Sequence, residues 1–514
     1  MIDSSALYGI SGIDMALCVL SQTALWQRKE YRIDRMLAYI SSPEFSYSAF
    51  AVWGVAIVLS VASFVFPELA VVSMIIVLLG YCIRGFRRGI FRPKRTTRST
   101  LITGISFFIL FIKLVFIHSI STLSFLVIAS PIVVVFAIAL TAIPTGIQKR
   151  KTIQQAIAHR NTLPNVHVIG ITGSVGKTST KTYALHILQN DSKEVIATKH
   201  HRNSPYVVAM DLLTRVTAHT ATYIAELAAY RPGEIKELCA IVQPNIGVIT
   251  AITNQHLAMF GSLDRLATAK WELADSLPTN GTLVLNKDDE TIRKQAKNST
   301  HQIVWYSMRD SADVVFEKIN IQVDHIECEL IINNERQRVR ISVVSRGQLY
   351  SVLAAVAIGF VSEMPIQKII EKLASLPQLE KTMEYKKRSD GLIAIDDSYS
   401  ASEASVLNAI EYLKAVGNKD SLLVMVPIIE LGSDGHVVHE RIGKALVSAP
   451  FRVMIYGNGY KKDMLRGFAE ESHKHIAWYE DPKKMLQDIQ KDRSRYALTV
   501  LEGRLPETIR TALL

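Results

Sequence analysis

The stretch Gly170-Ile171-Thr172-Gly173-Ser174-Val175-Gly176-Lys177-Thr178-Ser179 decides how the rest of the chain is read. Residues 166–172, VHVIGIT, lead into it as a short buried-strand pattern, and TSTKTYALHILQN continues it as a helical one. A glycine-rich turn between a strand and a helix is the context a phosphate loop requires. Its backbone N–H groups and the helix N-terminus would hold the β- and γ-phosphates of ATP. Lys177 would neutralise the transferring phosphoryl group, and the Thr178 hydroxyl would ligate Mg²⁺. Gly173, Ser174, Val175, Gly176, Lys177, Thr178 and Ser179 are therefore candidate nucleotide-binding residues. The strict G-x-x-x-x-G-K-[ST] spacing is not met, because position 171 is Ile. The form here is the compact Gly173-x-x-Gly176-Lys177-Thr178, and a chance glycine-rich helix start is the competing reading.

Downstream, strand patterns at 221–226, 246–252, 282–286 and 303–306 alternate with helical stretches. That alternation predicts an α/β fold with a parallel sheet covered by helices on both faces. Residues 313–345 differ, alternating with period two around Asn333-Asn334, as an antiparallel hairpin region does. Helices are predicted at 348–361 and 365–376. From about 381 the α/β pattern resumes: strand 391–396, helix 403–415, strand 421–427, helix 437–447, strand 452–456. Domain boundaries are expected near 150 and near 380.

Upstream lies a different kind of sequence. Apolar runs occupy 48–66, 69–83, 101–117 and 120–145, with a weaker run at 6–25 interrupted by Asp14. A helix needs about 20 apolar residues to cross the hydrocarbon of a bilayer. The expectation for 1–150 is an α-helical membrane module of about five spans, or four if the first run lies at the interface. Pro67-Glu68 and His118-Ser119 would split two tight helical hairpins, and Pro131 would kink the last span. Lys and Arg cluster after the first run, between the third and fourth (84–98), and at Lys149, Arg150 and Lys151. The positive-inside rule then puts the N-terminus outside and everything after 148 in the cytoplasm, in an inner-membrane protein. No basic segment precedes the first run, so it does not read as a cleaved signal peptide. Asp14 and Lys113, ionisable groups within apolar runs, are functional candidates, with snorkelling or internal pairing the plainer reading for Lys113.

Composition fits this division. The 514 residues, 49% hydrophobic and 20% charged, exclude intrinsic disorder. Cys18, Cys82, Cys239 and Cys328 are scattered, which excludes a disulfide scaffold or zinc ribbon. The net charge of +11 raises nucleic acid or an anionic membrane as partner. Residues 1–151 hold 15 Lys+Arg against 6 Asp+Glu, and the remainder 43 against 41. The basicity therefore lies beside the apolar runs, which favours the bilayer and argues against nucleic acid.

With these residues in view, the chain resembles the Mur ligase family over roughly 160–460, with a weaker tail to 514. The family's loop T-G-[TS]-x-G-K-[TS] is matched by Thr172 to Thr178. In order follow Tyr223-Ile224-Ala225-Glu226-Leu227, Asn254-Gln255-His256-Leu257, Phe260-Gly261-Ser262, Ala267-Thr268-Ala269-Lys270-Trp271-Glu272, Leu285-Asn286-Lys287-Asp288-Asp289, Ile395-Asp396-Asp397-Ser398-Tyr399, and Glu430-Leu431-Gly432 with His439. The span from Ala225 to Asp289 is most similar to the MurF branch, which joins D-alanyl-D-alanine to UDP-muramoyl-tripeptide. The resemblance implies a P-loop central ATPase domain and a C-terminal Rossmann-like domain. It also implies ADP-forming amide-bond synthesis through an acyl phosphate. Lys177, His256 and Lys270 would be catalytic, and two Mg²⁺ would be held by Thr178, Glu226, His256 and a carbamylated Lys270. Asn286 and Asp288 would lie at the adenine side, and Asp397 and Tyr399 would reach back to the nucleotide. Asn203 matches only weakly a position near the phosphates or metal.

Departures fall on the acceptor side. The family's D-D-S-Y-N-A-N-P reads Asp396-Asp397-Ser398-Tyr399-Ser400-Ala401-Ser402-Glu403. Its G-R before the C-terminal domain is Lys381-Thr382, its G-R-H-N is Ser345-Arg346-Gly347-Gln348, and its K-G-S-R is reduced to Glu502-Gly503-Arg504. The family's UDP-binding domain is replaced in position by the apolar runs. The expected substrate is a muramoyl peptide or other carboxylate, lipid-linked in one reading, with an amine such as D-Ala-D-Ala. A membrane ligase extending another carboxylate polymer, of poly-glutamate type, and a non-catalytic membrane scaffold are the alternatives.

Overall fold

The computed structural model describes all residues except 1–3, 30, 32, 34–35, 37–46, 89–92, 117–118, 191–193, 200–202, 254–259, 261, 400, 429–430, 432–433, 448, 469–474 and 493–494. Main-chain contacts divide it into two compact units, Met1–Lys151 and Thr152–Leu514.

The first unit is helical: α1 (Ser4–Arg28), α2 (Tyr47–Ala62), α3 (Glu68–Arg88), α4 (Thr97–Phe116) and the start of α5 (Ile120–Asn161). The hairpin expected at Pro67-Glu68 is built, with Ser73 Oγ donating to the Ala56 carbonyl at 2.9 Å. The turn of the second expected hairpin, at His118, lies outside the described residues. The start of α5 is tied to the end of α2, through Ser121 Oγ to the Ser63 carbonyl at 2.6 Å and a 2.8 Å contact between the Ser124 and Ser60 hydroxyls. The helix α4 lies against α1. Pro131 and Pro144 both fall inside α5. One described helix segment, Ser124–Asn161, is long and apolar enough to cross a membrane, and Glu68–Gly80 and Thr97–Ile112 are shorter apolar helices. The side chain of Lys113 lies outside the described residues.

The polarity of this unit is inverted. Val65, Ile132 and Ile143 are 73%, 72% and 69% exposed, and Phe108, Phe111 and Phe136 also face outward. Ser11, Asp14, Ser60, Ser73, Ser106, Ser124 and Ser130 are buried. Both Asp14 carboxylate oxygens lack a hydrogen-bond partner among the described residues.

The second unit holds two sheets. In the nine-stranded one the spatial order is β2 (Glu194–Ala197), β3 (Thr220–Glu226), β1 (His167–Thr172), β4 (Ile246–Ile249), β5 (Thr282–Asn286), β6 (Gln302–Ser307), β7 (Val314–Ile321), β8 (Ile326–Ile332) and β9 (Glu335–Ile341). Pairing is parallel from β2 to β7 and antiparallel from β7 to β9. The period-two region is thus continuous with the parallel sheet, and Asn333 and Asn334 take φ 51° and 69° in its turn, as a two-residue hairpin demands. Side chains alternate across β1: Ile169 and Ile171 enter the core under α6 (Lys177–Leu188) and α11 (Arg346–Val361), while Val168 enters the opposite core. That second core is covered by α7 (Pro205–Arg215), α8 (Glu234–Val242), α9 (Leu263–Asp275) and α10 (Glu290–Ala296). The short helix α12 (Ile366–Leu373) then leads to the second sheet.

That sheet runs β10 (Glu384–Lys387), β11 (Ile393–Asp397), β15 (Leu498–Glu502), β12 (Ser421–Met425), β13 (Arg452–Tyr456) and β14 (Ile476–Tyr479), parallel except for β10. Helices α13 (Glu403–Val416), α14 (Gly435–Leu446) and α15 (Lys461–Gly467) cover one face, and α16 (Pro482–Lys491) and α17 (Glu507–Leu513) the other. Lys381 and Met383, in the connection between the sheets, both take left-handed conformations at φ 55° and 45°. Gln348 holds this connection by donating to the Thr382 carbonyl at 3.1 Å.

Candidate active site

The phosphate loop leaves the carboxyl end of β1 between β3 and β4, where the strand order reverses and open α/β sheets bind ligands. The strand β4 ends at Ile249, three residues earlier than the apolar pattern predicts, because the chain turns there to close over the loop. Thr250 donates from its backbone N–H to the Thr172 carbonyl at 3.0 Å and from Oγ1 to the Val175 carbonyl at 2.6 Å. The Ser174 N–H donates to the Ala251 carbonyl at 2.7 Å. Gly173 has φ 147°, and a Cβ there would lie 2.1 Å from Thr250 Oγ1, so only glycine fits. Gly176, at φ 82°, is the left-handed residue from which α6 starts.

The side chains converge on the end of β3. Lys177 Nζ donates to the carbonyls of Gly173 and Ser174 at 2.7 and 2.9 Å. Burial pushes its pKa down, and Glu226 opposes that shift. Thr178 Oγ1 donates to Glu226 Oε2 at 3.0 Å, Lys181 Nζ to the same oxygen at 2.8 Å, and Asn203 Nδ2 to Oε1 at 3.1 Å. Glu226 is 1% exposed. Its backbone is fastened by Thr198 Oγ1, which accepts from the Glu226 N–H at 3.1 Å.

Lys270, on α9, is 3% exposed, and its pKa falls to about 7. Burial is the main cause and the charge of Lys177 the second, with Glu234 and Glu272 opposing. A lysine near that value presents an unprotonated amine, the form that reacts with CO₂. Glu272 itself caps α8, accepting from the Gly233 and Lys236 N–H groups at 2.6 and 3.0 Å. Tyr399, which follows β11, is half-exposed, and its pKa is raised by burial and then by the charge of Glu226.

The two adenine-side candidates, Asn286 and Asp288, are hydrogen-bonded within the second unit. Asn286 Nδ2 donates to the Thr250 carbonyl at 3.2 Å. Asp288 accepts from Ser307 Oγ at 2.5 Å, the Met308 N–H at 2.8 Å and Tyr350 OH at 2.9 Å, bracing α11 against β6. Asp397 is 5% exposed and accepts from the Met383 N–H at 3.2 Å. Its pKa rises to about 6 through burial, beside the still more deeply buried Glu502. His256 lies outside the described residues. Among the described residues no group of three or more His, Cys, Asp and Glu side chains is placed to hold a metal ion. The Thr178 hydroxyl and Glu226 carboxylate nonetheless form a hard-oxygen pair of the kind that suits Mg²⁺. Lys181 escaped the sequence reading; its only signal was its place one helical turn beyond Lys177.

A glycine-rich loop after β1, a buried carboxylate at the end of β3 and a buried lysine on α9 make up the candidate site. Residues 171–359 match the family model of the Mur ligase middle domain. More particularly, the chain is similar to ligases named for the joining of D-alanyl-D-alanine to UDP-N-acetylmuramoyl-tripeptide. The UDP-N-acetylmuramoyl-tripeptide–D-alanyl-D-alanine ligase of Mycobacterium tuberculosis is 30% identical over 312 residues, covering 59% of this chain and 61% of its own. The ligase of that name from Escherichia coli is 27% identical over 284 residues, 55% of this chain and 62% of its own. The chain thus spans about three-fifths of the length of these relatives. Among solved structures, MurF from Acinetobacter baumannii superposes with a TM-score of 0.63 at 23% identity, over 71% of this chain and 80% of that one. Thermotoga maritima MurF in complex with ADP gives 0.62 at 24%, over 71% and 84%. At these identities the likeness is one of fold.

Proposed function

We propose that this protein is a membrane-anchored, ATP-dependent, ADP-forming amide ligase acting on a cell-wall precursor, joining D-alanyl-D-alanine or a related amine to a muramoyl peptide. The convergence of Lys177, Thr178 and Glu226 at the carboxyl ends of β1 and β3 carries this reading. ATP would phosphorylate the acceptor carboxylate, and attack by the amine on the acyl phosphate would release phosphate and leave an amide. The loop's N–H groups and the N-terminus of α6 would hold the nucleotide phosphates. Lys177, now folded onto its own loop carbonyls, would swing to the γ-phosphate. Thr178 and Glu226 would hold Mg²⁺, with carbamylated Lys270 and His256 as further ligands. When bound, the metal supplies positive charge between two anions that must meet. Tyr399 and Asp397 would close the site from the second sheet.

The inverted polarity of the first unit supports the membrane part. Apolar side chains facing outward over buried serines fit a lipid environment, where small hydroxyl residues pack helices together. Anchoring of that kind would hold the enzyme beside a lipid-linked acceptor and raise its effective concentration. The reading is tested by ADP release from full-length protein given D-Ala-D-Ala and either a UDP-linked or a lipid-linked muramoyl tripeptide. Turnover that needs both substrates, prefers the lipid-linked one and falls at least about 100-fold in Lys177→Ala is expected. Clear preference for the UDP-linked substrate would remove the lipid-linked acceptor. Full function of Lys177→Ala in cells would favour the non-catalytic scaffold.

A further inference from the structure

Both carboxylate oxygens of Glu226 are bonded within its own chain. Lys181 and Thr178 both donate to Oε2, at 2.8 and 3.0 Å, and Asn203 donates to Oε1 at 3.1 Å. Lys181 and Glu226 form an ion pair with side chains 4% and 2% exposed. Such a pair is costly to desolvate, and removal of one partner strands the other's charge in the interior. Lys177 is not the bonded counter-ion, because its ammonium is directed to the Gly173 and Ser174 carbonyls. The charge in contact with Glu226 is therefore that of Lys181, whose role nothing in the proposed reaction has yet used.

A divalent cation arriving at Glu226 meets an ammonium already on Oε2. Two cations on one carboxylate repel strongly in a buried site, unless further negative charge enters with them. The nucleotide phosphates are the obvious source of that charge, since the loop delivers them to the same strand end.

We propose that Lys181 is the resident counter-cation of Glu226, holding the carboxylate neutralised and oriented while metal is absent, and that metal binding is an exchange in which Lys181 yields Oε2. Lys181 thereby makes metal binding depend on nucleotide: the metal binds weakly to the free protein and tightly once phosphates supply the missing negative charge. It is a positioning residue that sets the order of loading. The inference rests on the ligase reading, in which Glu226 is a metal ligand.

The test is Mn²⁺ titration of full-length protein in detergent, followed by the electron paramagnetic resonance signal of free Mn²⁺, with and without ADP. Wild type and Lys181→Arg should bind Mn²⁺ weakly alone and tightly with ADP. Lys181→Met and Lys181→Gln should bind it at least about ten-fold more tightly than wild type without ADP, and ADP should add less. Lys181→Gln keeps a donor to Oε2, so it remains measurable if Lys181→Met does not fold. Glu226→Gln should weaken binding in every background. Nucleotide-free affinity in Lys181→Gln within two-fold of wild type, with Glu226→Gln still weakened, would overturn the exchange and leave the metal site standing. Unchanged binding in Glu226→Gln would overturn the metal site itself.

Discussion

Lys270 is the residue whose chemistry depends most on its surroundings. Burial and Lys177 lower its pKa to about 7, so the reactive amine predominates above that pH and the ammonium below it. Carbamylation needs the amine, because an ammonium has no lone pair to attack CO₂. Ligation should therefore rise as pH increases through about 7, fall when bicarbonate is stripped from the buffer, and return when it is restored. A ¹³C carbamate signal from bicarbonate-labelled protein, absent in Lys270→Ala, is the check; a rate indifferent to bicarbonate would contradict it. The meeting of Thr178 with Glu226 was legible at this scale because local motifs mark both residues. The partners of Asp288 were not, because Ser307, Met308 and Tyr350 lie 19, 20 and 62 residues away, where no local motif reveals them. Lys181 was missed because an ion pair 45 residues long leaves no trace in spacing.

Among elements, the phosphate loop and its cover act together. The β4 strand stops early so that Thr250 can close on the loop, and Gly173 is the residue that admits it. Gly173→Ala would add a Cβ 2.1 Å from Thr250 Oγ1 at a φ that L-residues avoid. Nucleotide affinity should fall, and the unfolding free energy should drop by about 1–3 kcal/mol, read by denaturant titration. Near-normal ADP binding in that variant would contradict the close packing. Ser345 and Gln348 form a capping box at the start of α11, and Gln348 also holds Thr382. Ser345→Ala should cost about 1 kcal/mol by the same titration. The parallel strands β1, β3 to β6 and β11 to β13 were readable from apolar runs and intervening helices. The short edge strands β2, β10 and β14 were not, since four residues at a sheet margin carry too little periodicity to register, and the inner strand β15 was missed as well.

For the whole molecule, charge and polarity divide the chain near residue 151. The first unit holds most of the net positive charge and turns large apolar side chains outward, while Thr152–Leu514 carries the two largely parallel sheets. Full-length protein should stay with the membrane pellet through alkaline carbonate washing and enter solution only with detergent; release by carbonate alone would contradict membrane insertion. The apolar runs marked where helices form but not how they pair: serine hydroxyls tie the start of α5 to α2. The central claim is that a carboxylate is activated as an acyl phosphate. It is tested most directly by supplying the muramoyl peptide with its acceptor carboxylate labelled with ¹⁸O and analysing the released phosphate by mass spectrometry. The account predicts one ¹⁸O transferred to phosphate for each amide formed. Amide formation with unlabelled phosphate, or ADP release without any amide, would contradict it.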